Sequence, residues 1–537
     1  MSTRTRPRAR RIPGRFAAAN RHLGSRAGYA VTGALVAALL VAIAALVGVG
    51  RTDSRSPPHR ASPSHPASPS HPPSRHAAPA QSPSASPSGH ATFALSAYGA
   101  RGDGSTDDTR AVQAALDAAA RAGAGGVVTS PPGKTFVVSQ IAVAGSGVTV
   151  DLQGSTIKAR RSAAGTLVAV TGSQARLTNL TLDANHAASE ALRWSGKNGT
   201  LGQARLVNGP DIGLHVVDSG AVASSGVTAS DFANVCFDVG TGTLVTHRDR
   251  AVHCGYAGFY FSRSSTHDVL DGSTAHNGIG AVIKSQGGHI GHFTSNDDNS
   301  FGLLMERPAA GWTAEYVETD EIGVSAGRPQ GTGVELTGAS GNSFTRIVSD
   351  RNPGYALAIA QGSHDNDVHS LYADHTGGPN GNPGLLIDTG SNRNRIAQAT
   401  VIAYSVCLHV GEEAPYPPSS GNWIGKLTAI RCPYDAVRID YGIGNTISRA
   451  VVIGCGAISN GQGESYLGTV DFARESANNV IGHLDESPAS TGEATPPYAV
   501  YFGPRTRGNR VGAGRLLAWS VGATRDDGHN EASLASG

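Results

Sequence analysis

The chain is short of the residues that build long helices and of the common zinc signatures. Of its 537 residues only five are lysine, two are methionine and four are tryptophan. Its five cysteines form no C-x-x-C pair, and no H-E-x-x-H occurs. Acidic charge is almost missing from the first 91 residues, which carry twelve Arg and one Asp. From Thr92 onward the balance reverses, with 31 Lys+Arg against 40 Asp+Glu. An acidic main domain argues against a general nucleic-acid binder, and no nucleic-acid partner is expected. What the chain has in excess is glycine, 70 residues, which predicts many turns and few long helices.

The first 91 residues divide by composition. Residues 1–26 are an arginine-rich arm. Residues 27–50 are uncharged, with an Ala, Leu and Val core from Ala34 to Val49, long enough to cross a bilayer as a helix. The arginines before it predict a cytoplasmic N-terminus and an extracellular remainder. A cleaved signal peptide is the rival reading, although no clear A-x-A site precedes Arg51, and Arg10-Arg11 lacks the apolar residues expected after a twin-arginine signal. Residues 51–91 are Ser, Pro, His and Ala with almost no large apolar side chain, so they predict a disordered, extended linker. Its five histidines are irregularly spaced, which favours a solvated linker over a metal site.

From Phe93 to Ser139 the chain is denser in signals. Gly99, Gly102 and Gly104 allow turns, and Thr106, Asp107 and Asp108 supply side-chain oxygens where a helix should start. Val112, Ala115, Leu116 and Ala119 then recur at helical spacing until Gly123–Gly126. A strand at Val127-Val128, a Pro131-Pro132-Gly133 turn and a strand over Phe136–Val138 follow. The order GARGDGSTDDTRAVQAALDAA, GGVV, PPG, TFVV resembles the opening of the pectate-lyase-superfamily domain of rhamnogalacturonases, epimerase-like proteins and some phage tailspikes. That resemblance implies a right-handed parallel β-helix with this helix capping one end, and a structural role for Asp107 and Asp108.

The rest of the chain repeats. A small residue, an apolar one, any residue and a second apolar one recur as GLHV at Gly213, VCFD at Val235, GFYF at Gly258, GAVI at Gly280, GLLM at Gly302 and GVEL at Gly333. The series continues as ALAI at Ala356, GLLI at Gly384, VCLH at Val406, AVRI at Ala436 and AISN at Ala457. The base interval is about 22 residues with occasional longer coils, which is the mark of a solenoid whose insertions are loops. Alternate strand residues should face the core, giving the inward pairs Leu214/Val216, Phe259/Phe261, Leu303/Met305, Val334/Leu336, Leu357/Ile359, Leu385/Ile387 and Val437/Ile439. Leu304, Glu335 and Leu386 should then face out. A second signature, Asn, any residue, apolar, recurs at Asn342, Asn366, Asn394, Asn422, Asn445 and Asn509, which suits a tight turn stacked coil upon coil. The fold class predicted is all-β, a parallel β-helix of roughly 13–15 coils over residues 92–520, with 92–139 as its capping segment and 521–537 as a disordered tail.

Cys236 and Cys407 read as inward-facing buried thiols. Cys432 and Cys455 lie about one coil apart, within reach of a disulfide, and Cys254 has no evident partner.

The chemistry is less legible. Polygalacturonase relatives carry N-T-D, then D-D, then G-H-G and R-I-K. Here Asn296-Asp297-Asp298-Asn299 has the paired aspartates, but Gly288-His289-Ile290-Gly291 lies upstream of them. Asp297 and Asp298 are where a hard cation such as calcium could sit, against the reading of a hydrated turn; no cofactor is expected. On the outer strand positions Tyr260, Lys284, Glu306 and Glu335 stand out among Val, Leu, Ala, Ser and Thr. Glu306 and Glu335 should lie one coil and two residues apart, about 8 Å, which suits an inverting glycosidase. Lys284 is placed to neutralise a uronate or serve as a lyase base, and Tyr260 to stack on a sugar. The long stretch Arg307–Thr332 brings Trp312 and Tyr316 as a wall of the groove. The expected function is a membrane-anchored extracellular glycoside hydrolase or polysaccharide lyase with a polysaccharide partner. A glycan-binding module and a structural spacer are the alternatives.

Overall fold

The computed structural model describes residues 91–537 apart from 124, 219, 328–329, 377–381, 412–414, 457–466, 488–495, 513, 517–518, 534 and 537. The basic arm, the apolar run 27–50, the linker and the repeat at Ala457 lie outside the described residues. Among those described, no helix is long and apolar enough to cross a membrane.

The chain winds as a parallel solenoid. One sheet, sheet 1, holds 16 strands in strict chain order from Ile141–Val143 to Gly522–Asp526, one strand for each of sixteen coils. The other large sheet, sheet 2, has 23 strands, many of eight residues, such as Thr313–Asp320 and Trp423–Ile430. Coils at Ile141–Val143, Thr166–Val170 and Glu190–Trp194 precede the first repeat recognised in the sequence, and Gly522–Asp526, in the stretch expected to be a disordered tail, takes the count above 13–15. Residues 521–537 are no unstructured tail. Gly522–Asp526 pairs in parallel with Tyr498–Phe502, and His529–Ala532 with Arg507–Val511.

The single α-helix among the described residues, α1 (Thr109–Arg121), buries Val112, Ala115, Leu116 and Ala119 against the first strands. Asp107 accepts the Thr109 amide at 3.1 Å, and the Asp108 carboxylate accepts the amides of Arg101 and Gly102 at 2.8 and 3.0 Å. Both aspartates therefore serve the backbone of this turn. Gly102 has φ +59°, and a Cβ there would lie 2.8 Å from the Phe136 ring.

The predicted core register holds at all seven coils. Every member of the seven inward pairs, Leu214/Val216 through Val437/Ile439, is at most 1% exposed. Phe237 and Phe259 stack at 4.7 Å between neighbouring coils, and Phe472 and Phe502 at 4.9 Å. Two repeats, VCFD and VCLH, were read one residue out of register. Val235 pairs with Ile212 and Val406 with Pro383, so Cys236 and Cys407 take the small-residue position, while Phe237 and Leu408 enter the core. With period-2 side chains a slip of one residue exchanges the two faces.

That slip also misassigned the cysteines. The disulfides are Cys236–Cys254 and Cys407–Cys432, each with Cα atoms 5.8 Å apart, and Cys455 is a buried free thiol. Each bridge joins the start of one sheet 1 strand to the turn that leads into the next. The spans of 18 and 25 residues are therefore geometrically equivalent.

The asparagines form one continuous ladder. Asn342, Asn366, Asn394, Asn422, Asn445, Asn479, Asn509 and Asn530 each pass a side-chain amide hydrogen bond of 2.8–3.0 Å to the next. Asn479 and Asn530 extend the six read from sequence. The left-handed backbone sits one residue before each ladder asparagine from Asn342 to Asn509, at Gly341, Asp365, Arg393, Gly421, Gly444, Asn478 and Gly508. The ladder residue itself turns inward.

Candidate functional site on the outer face of sheet 1

Register fixes what can meet on this face. Tyr260 pairs with Val282, Val282 with Leu304, and Leu304 with Glu335, one rung per coil. In the next outward row Lys284 follows Ile283, the partner of Met305, and Glu306 pairs with Thr337. Glu306 and Glu335 are therefore one coil and two residues apart, about 8 Å between Cα atoms.

The side chains complete the arrangement. Lys284 Nζ lies 2.6 Å from Glu306 Oε2 and 5.6 Å from the centroid of the Tyr260 ring. Tyr256, which is exposed, places its ring 6.0 Å from that of Tyr260. Beneath them Val235, Ala257, Ile279, Val282 and Leu304 form an apolar cluster separate from the core, with Phe301 and Tyr260 packed against it. Glu335 is partly buried and accepts from Thr337 Oγ1 at 2.6 Å. Burial raises its pKa, the Thr337 hydrogen bond opposes this, and the charge of Glu306 adds to the rise. Lys284 is pulled down by burial, but its hydrogen bond and charge pairing with Glu306 outweigh that and raise it. It is thus held protonated, which suits a charged partner for Glu306 and not a free base.

Two residues expected here lie elsewhere. Trp312 is 1% exposed, and its indole donates to the Ser285 carbonyl at 3.1 Å. Its backbone N–H bonds Asn342 Oδ1 at 3.0 Å, so Trp312 occupies a rung of the asparagine ladder and points into the solenoid. Tyr316 belongs to the sheet 2 strand Thr313–Asp320, where it stacks on His292 at 4.7 Å and donates to Glu318 at 2.9 Å. The stretch Arg307–Thr332 is therefore not one inserted wall. It contains an ordinary strand, and the extra residues fall after Asp320. Nor does the Asp297–Asp298 turn offer free oxygens. Asp298 is fully buried and accepts from Thr274, Ser295 and the Asn277 amide at 2.6–2.7 Å, while Asp297 accepts the Ser325 amide at 3.0 Å.

The same face carries polar groups that the sequence reading passed over. Toward the N-terminal end, Glu190 lies 2.7 Å from His215 Nδ1 and 3.1 Å from Arg193, and His215 Nε2 is 3.7 Å from Asp238. Burial, with Asp211 and Glu190 nearby, pushes Asp238 up to about 6 against the pull of His215. Toward the C-terminal end, Arg438 holds Asp440 at 2.8 Å and Asp435 at 3.5 Å, and burial pushes Asp471 up to about 7. The one-residue slip at VCFD hid Asp238. His215, Arg438 and Asp440 stood in plain register at positions two and four of their repeats. On sheet 2, Asp320, Asp350 and Asp374 form a separate carboxylate column, with Asp350 pushed up to about 8 by burial and then by Asp320.

Solenoid and ladder define the fold as a parallel β-helix. Residues 94–325 of this chain match the model described as rhamnogalacturonase A/epimerase, pectate lyase-like. No curated protein matches it. Among solved structures it is similar to the A-module of the Azotobacter vinelandii mannuronan C-5 epimerase AlgE6, at 17% identity and TM-score 0.30, covering 83% of this chain and 99% of that one. It is also similar to the catalytic unit of a GH87 α-1,3-glucanase from Streptomyces thermodiastaticus, at 14% identity and TM-score 0.36, covering 82% and 70%.

Proposed function

We propose that the protein is a polysaccharide-active enzyme that hydrolyses a glycosidic bond on the outer face of sheet 1. The observation that carries this reading is the diagonal pair of Glu306, clamped by Lys284 at 2.6 Å, and Glu335, whose pKa is raised by burial. A carboxyl whose pKa is raised by burial suits the acid role, which assigns that role to Glu335. Glu335 gives its proton to the leaving glycosidic oxygen as the bond to the anomeric carbon breaks. Glu306 takes a proton from the water that attacks that carbon from the other side. With Cα atoms about 8 Å apart, carboxyls held roughly 6.5–9.5 Å apart would leave room for this water and give a product of inverted configuration. Tyr256 and Tyr260 present ring faces on which a sugar can stack. A lyase is less well served, because Lys284 is held protonated. The proposed site comprises Lys284, Glu306 and Glu335 in catalysis and Tyr260 in binding.

The test is reducing-end release by the purified full chain on neutral and uronic polysaccharides, beside Glu306→Gln and Glu335→Gln. Loss of release in both variants supports the reading. Release unchanged in both removes it, and retention on a polysaccharide column without release points to a glycan-binding module. The arginine-rich arm and the apolar run 27–50 support a further part of the proposal, that the enzyme is tethered to the outer face of a membrane by an extended linker. Protease added to intact cells should then shed a soluble fragment beginning near Ala91, and protection until lysis would refute the orientation.

A further inference from the structure

The family description points to acidic sugars, but the charge on this groove does not. We infer that the groove takes an uncharged hexose polymer and rejects polyuronates, with Glu306 as the residue that sets this specificity. The inference rests on the proposed groove being the glycan site, and it concerns binding.

The floor of the groove is apolar, built of Val282, Leu304 and Ile279, and its upright groups are the rings of Tyr256 and Tyr260. Such a surface suits the CH faces of pyranose rings and pays nothing for a carboxylate left without a counterion. The one lysine on the floor, Lys284, is already neutralised by Glu306 at 2.6 Å. Arg307, the next residue, turns off the strand: its guanidinium lies over the turn glycine Gly338, with Nη2 3.2 Å from where a Cβ would stand. Further along the same face the cations are spoken for as well. Arg193 pairs with Glu190 at 3.1 Å, and Arg438 with Asp440 at 2.8 Å. A polyuronate laid along this face would meet Glu190 and Glu306, each already paired with a cation, and among the described residues no unpaired cation on the floor to receive its carboxylates. A carboxylate set on an apolar floor without a counterion is disfavoured, and a mismatch of that kind enforces specificity.

Affinity electrophoresis of the detergent-solubilised full chain tests this. Native gels would contain soluble β-glucan, dextran or galactomannan in one set, and alginate or polygalacturonate in the other, at matched ionic strength. At least one neutral polymer should retard the protein, and neither polyuronate should. Tyr260→Ala should abolish the retardation. Glu306→Gln leaves Lys284 without its partner and should create retardation by polyuronates that fades as salt is raised. Retardation of the wild type by polyuronates, retardation by neither set, or a Glu306→Gln variant that still ignores polyuronates would each overturn the inference. Binding is scored without cleavage, so a protein that binds neutral glycan but hydrolyses none would sink the hydrolase proposal and leave this one standing.

Discussion

Replacing Asn394 by alanine should be among the most damaging single changes that leave the hydrophobic core untouched. The Asn394 side chain makes four hydrogen bonds. Its Oδ1 accepts the backbone and side-chain amides of Asn366 at 3.1 and 2.9 Å, and its Nδ2 donates to the Ser363 carbonyl and Asn422 Oδ1 at 2.9 and 3.0 Å. All these groups are buried, so alanine both deletes the bonds and strands their partners away from water. A net value of about 1 kcal/mol per bond, with an added penalty for the buried Asn366 amide, gives about 3–5 kcal/mol. Urea unfolding of Asn394→Ala beside wild type reads that loss. Because coils in a solenoid couple mainly to their neighbours, amide exchange should quicken first around residues 363–422. Asn530→Ala is the control, since Asn530 ends the ladder and is only half-buried, and it should cost less. A loss below about 1 kcal/mol at Asn394, or an equal loss at Asn530, would refute the ladder as a source of stability.

Three further outcomes follow from the same structure. Leu336→Ala, at a fully buried inward site, should cost about 2–5 kcal/mol by thermal melting, more than Leu304→Ala on the outer face; the reverse order would undo the assigned register. Burial pushes Asp249 up to about 7 from an ordinary value of 3.8, so the folded chain holds a proton that the unfolded chain gives up. Its contribution therefore favours the fold below pH 4 and is lost as pH rises to about 7, up to about 4 kcal/mol. Asp249→Asn should accordingly shrink the fall in Tm between pH 5 and pH 8, and an unchanged fall would contradict the burial argument. Peptide mapping without reductant should find Cys236 bridged to Cys254 and Cys407 to Cys432, with Cys455 alkylated only after unfolding. A Cys432–Cys455 bridge would contradict the fold at that coil.

How far the sequence could be read depended on how local each signal was. The inward positions were legible because each coil repeats the same alternation, and six ladder asparagines were legible because each precedes an apolar strand residue. The cysteine pairing was not, because it turns on register. Reading Val235 and Val406 in place of Cys236 and Cys407 as the small residues concealed Asp238 and the bridging position of both cysteines, which are buried as expected. Trp312 and Tyr316 were misplaced for a related reason. Arg307–Thr332 reads in sequence as one insertion, although it holds the ladder rung at Trp312 and the strand Thr313–Asp320. The diagonal placement of Glu306 and Glu335, by contrast, needed only the coil length, whereas the pairing of Lys284 with Glu306 emerges from the structure. The raised pKa of Glu335 depends on what is packed around it, and no spacing rule conveys that.

The central claim is that Glu306 and Glu335 do the chemistry on the outer face of sheet 1. Its most direct test is the rate of reducing-end release as a function of pH, measured for the full chain, Glu335→Gln and Glu306→Gln on whichever polysaccharide the full chain degrades. The account predicts that wild-type activity falls as pH rises through the elevated pKa of Glu335, and that Glu335→Gln loses about 10²–10⁴-fold in rate together with that limb. It also predicts that Glu306→Gln is comparably impaired while remaining folded. Release that continues at the wild-type rate and with the wild-type pH profile in both variants would contradict it.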